Sequence, residues 1–189
     1  MQLSNALKEV PSSDNPAMEN PLSKQPQESY LGASPQFIAP ASGMYFPSDP
    51  RKVSILHFLP SRNAADSLIS RYWIAVHPMI RVVHRPSFER KYEAFWKEVM
   101  SGGQPPNSFQ ALVLAAMLSA VLSLPEEDVL TQFGVPKNDL VTNFMRGTEA
   151  ALARANFLRT TKLETLQAFV AYLVSISFKD IRFQEISFF

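Results

Sequence analysis

From Ser61 onward the apolar residues recur at helical intervals. Ala65, Leu68, Ile69, Tyr72, Trp73 and Val76 make one stripe. That spacing predicts a helix, with Asn63 as its cap, Asp66 in its first turn and Pro78 as its stop. Phe88, Tyr92, Phe95, Trp96 and Val99 define a second helix, which Ser87 can cap; Gly102, Gly103 and the Pro105-Pro106 pair close it. The third segment, Phe109 to Leu124 behind a Ser108 cap, is apolar on nearly every side. A helix of that kind must be surrounded by protein, so it is expected at the centre of a bundle.

Pro125 with Glu126, Glu127 and Asp128 opens a short fourth helix, the acidic residues facing its positive end. Gly134 and Pro136 punctuate, and Leu140, Val141, Phe144, Met145, Thr148, Ala151, Leu152 and Ala155 outline a long fifth helix. Thr161 and Glu164 form a capping box ahead of Leu163, Leu166, Val170 and Leu173. No strand-period segment of useful length competes. The expected fold is all-α, an irregular helical bundle around a buried central helix.

The first fifty residues follow a different rule. They hold eight of the chain's fifteen prolines, with Ser, Asn and Gln between them. Each proline removes a backbone donor and turns its predecessor away from helix. Large apolar side chains are too sparse there to offset the entropy of ordering. Residues 1–54 are therefore expected to be a disordered Pro/Ser-rich linker. Leu3, Leu7 and Val10 have the four-then-three spacing of a coiled-coil seam, but a ten-residue helix is marginal alone and chance spacing is the preferred reading.

Charge and composition then narrow the chemistry. Eighteen basic and seventeen acidic side chains in 189 residues leave a formal charge of +1. That balance argues against a polybasic nucleic-acid module. The chain contains no cysteine, so it can hold no disulfide, zinc–thiolate site, iron–sulfur cluster or cysteine nucleophile. No secretory leader is visible at the start, and the fourteen-residue run Ala111 to Leu124 falls short of the about 20 residues a bilayer requires. An intracellular chain, without a membrane partner, is expected.

The sequence carries no phosphate-cradling glycine loop, no nucleophile elbow and no His-Glu-x-x-His. His77 and His84 stand seven apart, but Pro78 and Pro86 break any shared helix; they and His57 are read as loop or core histidines. Glu126, Glu127 and Asp128 suit a helix N-terminus better than a paired-carboxylate site. Arg81, Arg85, Arg90 and Lys91 are the one basic cluster, diluted by Glu89, Glu93 and Glu98, and are read as a solvated or pairing face. The expectation is that the chain is not an enzyme and has no catalytic, cofactor-binding or metal-binding residues.

Residues 59–96 carry a resemblance. Leu59-Pro60-Ser61-Arg62, the helix ending Tyr72-Trp73, Val76-His77-Pro78, His84-Arg85-Pro86-Ser87-Phe88 and Tyr92-Glu93-Ala94-Phe95-Trp96 occur in that order. Ala111-Leu112-Val113-Leu114-Ala115-Ala116 and Leu166-Gln167-Ala168 follow later. Together, over residues 55–173, they resemble the regulatory (middle homology) domain of fungal binuclear zinc cluster transcription factors, of the xylanolytic-activator type. The resemblance implies an all-helical, non-catalytic module in the regulation of DNA-templated transcription, and a place in the nucleus. It implies as partners homologous regulator subunits or co-regulators and a small-molecule effector. DNA would be reached only through a separate zinc cluster, whose cysteine ligands have no counterpart at any position here. The alternatives are a freestanding helical interaction module unrelated to transcription, and, less well supported, an enzyme with an unrecognised site.

Residues 174–189 are expected to depart from the domain. They lose the helix-rich pattern, end rich in phenylalanine, and begin Val174-Ser175-Ile176, which can be encoded with a splice-donor consensus. Retained intron is the reading preferred for them, a variable C-terminal tail the alternative. A domain cut short there would strand apolar side chains of the central helix, each forfeiting ~1.5–3 kcal/mol of burial. Residues 55–189 alone are then expected to aggregate or be molten, and sharp, dispersed amide signals from a monomer would contradict this.

Overall fold

A computed structural model describes the backbone of residues 54–186 and the side chains as far as Lys179. Of the linker expected at 1–54, all but Ser54 lies outside the described residues, the Leu3, Leu7 and Val10 spacing included. Six helices follow a 3₁₀ turn at Ile55–Phe58: α1 (Arg62–Arg71), α2 (Arg85–Met100), α3 (Asn107–Ser123), α4 (Glu126–Phe133), α5 (Lys137–Arg154) and α6 (Leu163–Ile186). A five-residue π-turn, Tyr72–Val76, extends α1. Among the described residues there is no strand. The chain is all-α, as its periodicity predicts.

The helix starts differ in detail from the expected caps. Ser61, not Asn63, caps α1, its Oγ accepting from the Ala64 N–H at 3.4 Å. α2 begins at Arg85 with His84 as cap, because Pro86 fits the first turn, where no N–H needs an intrahelical acceptor. Ser87 instead bonds the His84 ring through Oγ and Nδ1, 2.9 Å apart. α3 starts one residue before Ser108, which is buried. At the α6 start, Glu164 is held by Lys91, and Thr160 Oγ1, not Thr161, accepts from the Lys162 N–H.

Central placement of α3 is confirmed. Every residue from Ser108 to Val121 is buried, with α5 and α6 packed along it and α1 and the π-turn completing the sheath. The apolar side chains expected to be stranded on this helix are therefore covered by the chain's own elements. Its C-terminal carbonyls, which have no partner within the helix, are met by cations. Arg71 donates through Nη2 to Ser123 O at 2.8 Å, and Lys137 Nζ reaches Leu122 O at 3.2 Å and Leu124 O. Both charges oppose the negative end of the helix dipole.

Two joints are specified by short sequence. Gly134 ends α4 at φ 69° and donates its N–H to Leu130 O at 2.9 Å. Glu126, in the first turn of α4, accepts the Lys137 N–H at the start of α5 at 3.0 Å, so one member of the acidic triplet serves the next helix as well as its own. Asn156 takes φ 51° after α5. Its N–H bonds Ala153 O, and the Phe157 N–H reaches back to Leu152 O at 3.2 Å. That is the Schellman closure, with asparagine in the left-handed position.

The largest departure is in α6. The stripe Leu163, Leu166, Val170 and Leu173 is on the outside, each at least 41% exposed. The buried face is Thr165, Ala168, Ala171, Tyr172 and Ser175. Small side chains let α6 approach α3 at Ser119, where the Ser119 and Ser175 hydroxyls meet at 2.7 Å. The helix also does not stop at Leu173. It runs unbroken to Ile186, with Ser175 buried and Ile176 packed on the core. The expected loss of helical pattern after residue 173 is corrected: Val174, Ser175 and Ile176 are β-branched or polar, but neighbouring helices outweigh that weak preference.

Candidate functional site

The segment between α1 and α2 is a scaffold built on rings. Trp73 meets His77 edge-on at 4.9 Å and Phe88 at 5.4 Å, and Phe88 stacks on Tyr92 at 5.7 Å. Phe88, Tyr92, Phe95 and Trp96 are all buried, the core behaviour their stripe predicts. Burial pushes the Tyr72 phenol up to about 12 and raises Tyr92 as well. His77 is lowered, first by burial and then by Arg81 and Arg85, which favours the neutral ring. His84 caps α2.

Two of the four members of the basic cluster, Arg85 and Lys91, are engaged by structure. Arg85 pairs with Glu89 at 2.7 Å and places its guanidinium 5.3 Å from the Trp73 ring centre. Lys91 crosses to Glu164 on α6, and its ammonium holds that carboxyl below the usual range, helped by the residue's own backbone N–H. Glu127 and Asp128 sit exposed in the first turn of α4. Among the described residues no group of three or more His, Asp or Glu is placed to hold a metal ion, and no helix is long and apolar enough to cross a membrane.

A concave feature adjoins this segment. A cleft of about 350 Å³ opens between the end of α1 with its π-turn, the C-terminal half of α3, and α6. Ala75, Val76, Met79, Ile80, Leu122, Val174 and Phe178 make its walls apolar, and Arg71, Ser119, Ser123 and Ser175 supply the polar atoms. The π-turn shapes one wall: the extra residue per turn, closed by the His77 N–H to Tyr72 O at 2.8 Å, buries Tyr72 and Trp73 and sets Ala75 and Val76 on the cleft. Arg71 donates Nε to Ser123 Oγ at 3.0 Å and Nη2 to Ser123 O. It has no carboxylate partner among the described residues.

Sequence reasoning singled out none of these residues as a site. Arg71 falls at the polar edge of an apolar stripe, Ser119 reads as an interruption of an apolar run, and Ser175 reads as part of the splice-donor triplet of the tail. The available signal was a pair of buried-helix serines, legible only once α3 and α6 are known to lie side by side.

An all-helical domain with an aromatic scaffold between α1 and α2 and a side cleft bounded by the π-turn, α3 and α6 is the class this geometry defines. Residues 69–182 match the model of the fungal specific transcription factor domain, and the chain belongs to that family. The match extends past Leu173, through much of the second half of α6. The chain is similar to the aurofusarin cluster transcription factor aurR2 of Gibberella zeae, 34% identical over 129 residues, which are 68% of this chain and 19% of the relative. It is 33% identical to the C6 finger domain transcription factor hasF of Aspergillus fumigatus over 130 residues, 60% of this chain and 17% of that one. To the C6 finger domain transcription factor adaR of Aspergillus niger it is 32% identical over 178 residues, 90% of this chain and 20% of that one. The chain thus spans about a fifth of the length of these curated relatives. No solved structure matches it.

Proposed function

We propose that this chain is a non-catalytic regulatory module of a fungal transcription regulator, acting in the nucleus. The observation that supports it best is the family match over 69–182, which takes in the whole of α2, α3, α4 and α5 and nearly all of the described α6. Two of the relatives named above are C6 finger proteins. A chain without cysteine cannot supply such a finger, so DNA would be reached through a cluster carried outside this sequence. The module's own work would be contact with homologous subunits, co-regulators or a small effector. Residues 1–54 would serve as a linker and residues 174–189 would belong with the helical domain, while a retained-intron origin for the latter is a question of gene structure. Nothing in the fold or among the relatives favours a helical module unconnected with transcription.

Fusing the 189 residues to a heterologous DNA-binding domain and measuring a reporter in a filamentous fungus tests this. The fusion is expected to raise or lower transcription relative to the DNA-binding domain alone. The unfused chain is expected to show no site-specific retention of DNA. A reporter that does not distinguish the fusion from its DNA-binding domain would overturn the proposal.

A further inference from the structure

The side cleft has the make-up of a ligand site. Its volume, about 350 Å³, falls within the roughly 300–1,000 Å³ of small-molecule pockets, and mostly apolar walls with a few convergent polar groups are their usual composition. The polar group that decides the chemistry is Arg71. A guanidinium carries five N–H donors in a fixed fork. Two are committed to Ser123, and the positive charge meets partial charges only, since no carboxylate of the described residues pairs with it. An oxyanion entering the cleft would form charge-assisted bonds with the remaining donors, the stronger class of hydrogen bond. Met79, 70% exposed at the rim, has the unbranched, polarisable side chain that adapts to varied apolar shapes.

We propose that this cleft binds a small organic acid, its carboxylate on Arg71 and its apolar body between Met79, Ile80 and Phe178. The ligand would bridge the π-turn and α6, two elements that both pack on α3. It would therefore stabilise the arrangement of the three, as any ligand of the native state does. A carboxylate is preferred to a neutral or cationic head because Arg71 would repel a cation and gain little from an alcohol. The use of such a ligand as an effector rests on the regulatory reading above; its binding does not.

The test is calorimetric titration of the full chain with three probes of equal apolar length: octanoate, 1-octanol and octylammonium. Octanoate is expected to bind at least about ten-fold more tightly than octylammonium, which is the value of one good charge-assisted contact. Arg71→Met should erase that preference. Because Arg71 also caps α3, Ala75→Trp provides a second variant: it fills the cleft from a partly buried position on the cleft wall and should abolish octanoate binding with the helical circular dichroism unchanged. Leu166→Glu, on the outer face of α6, should leave binding as it was. Equal affinities for octanoate and octylammonium, no binding of any probe, or undiminished binding in Ala75→Trp would each overturn the proposal. A reporter that responds with no octanoate bound would sink the ligand and spare the regulatory reading, and the converse result would do the reverse.

Discussion

Gly147 lies in the middle of α5, where glycine costs ~1 kcal/mol against alanine in helix propensity. The structure gives a reason for it. A Cβ there would stand 2.7 Å from Phe58 Cβ, 2.9 Å from Phe58 Cγ and 3.4 Å from Leu114 Cδ1. Carbon contacts are comfortable at about 3.5–4.0 Å, so the stem of Phe58 must retreat by about 1 Å. That stem is not a flexible end: it belongs to the 3₁₀ turn, whose Ile55 is buried and whose Phe58 carbonyl accepts from Asn143 Nδ2 at 3.1 Å. Overpacking of this kind costs ~1–3 kcal/mol, more than the propensity gain, and Gly147→Ala is expected to destabilise the chain by about 1 kcal/mol net. In a Phe58→Gly background both clashing atoms are gone, and the same substitution should stabilise by ~1 kcal/mol. The coupling between the sites is then about 2 kcal/mol, within the range shown by residues in direct contact. Urea denaturation followed by Trp73 and Trp96 fluorescence and by far-ultraviolet circular dichroism measures it. If Gly147→Ala stabilises the unaltered chain as much as the Phe58→Gly chain, close approach is not what keeps glycine here.

Other outcomes follow from the same packing. Ending the chain after Leu173 removes Ser175 and Ile176 from the core and one wall of the cleft. It should lower stability by at least ~2 kcal/mol, on the scale of one large buried side chain, and an unchanged melting midpoint would refute that. Leu166→Glu with Val170→Glu, on the exposed stripe, should leave stability within ~0.5 kcal/mol while raising the monomer fraction in size-exclusion chromatography; an unaltered elution profile would show that this stripe does not drive association. Glu164 is held below the ordinary glutamate value of 4.5 by Lys91. Its contribution is complete above that ordinary value and is lost as pH falls through the lowered folded one. Lys91→Met should raise the Glu164 pKa in a carboxyl NMR titration and cost no more than ~1 kcal/mol, since Lys91 is half-exposed. A Glu164 titration that does not move would show the pair to be idle.

Periodicity alone was enough for the all-α class, the six helices and the central place of Phe109 to Leu124. Each of those depends on local spacing, and a segment apolar on every side has one solution, which is to be surrounded. Phe88, Tyr92, Phe95 and Trp96 were legible as core for the same reason. Caps were legible to within three residues, because Ser61, Asn63, Pro86 and Ser87 all favour a helix start and only the folded backbone chooses among them.

The orientation of α6 was not legible. Leu163, Leu166, Val170 and Leu173 outrank Thr165, Ala168, Ala171 and Ser175 in hydrophobicity, yet the smaller face is buried. What selects it is the distance at which two backbones can approach, a property of α3 and α6 together that neither segment carries alone. The same holds for the continuation past Leu173, where β-branched and polar residues argue locally against helix and the neighbouring core overrides them. Arg71, the Ser119 and Ser123 pair on α3, and Ser175 are far apart in the chain and unremarkable one by one. The cleft they share with the π-turn exists because three elements converge on one end of the buried helix, and convergence is decided by packing across the whole domain.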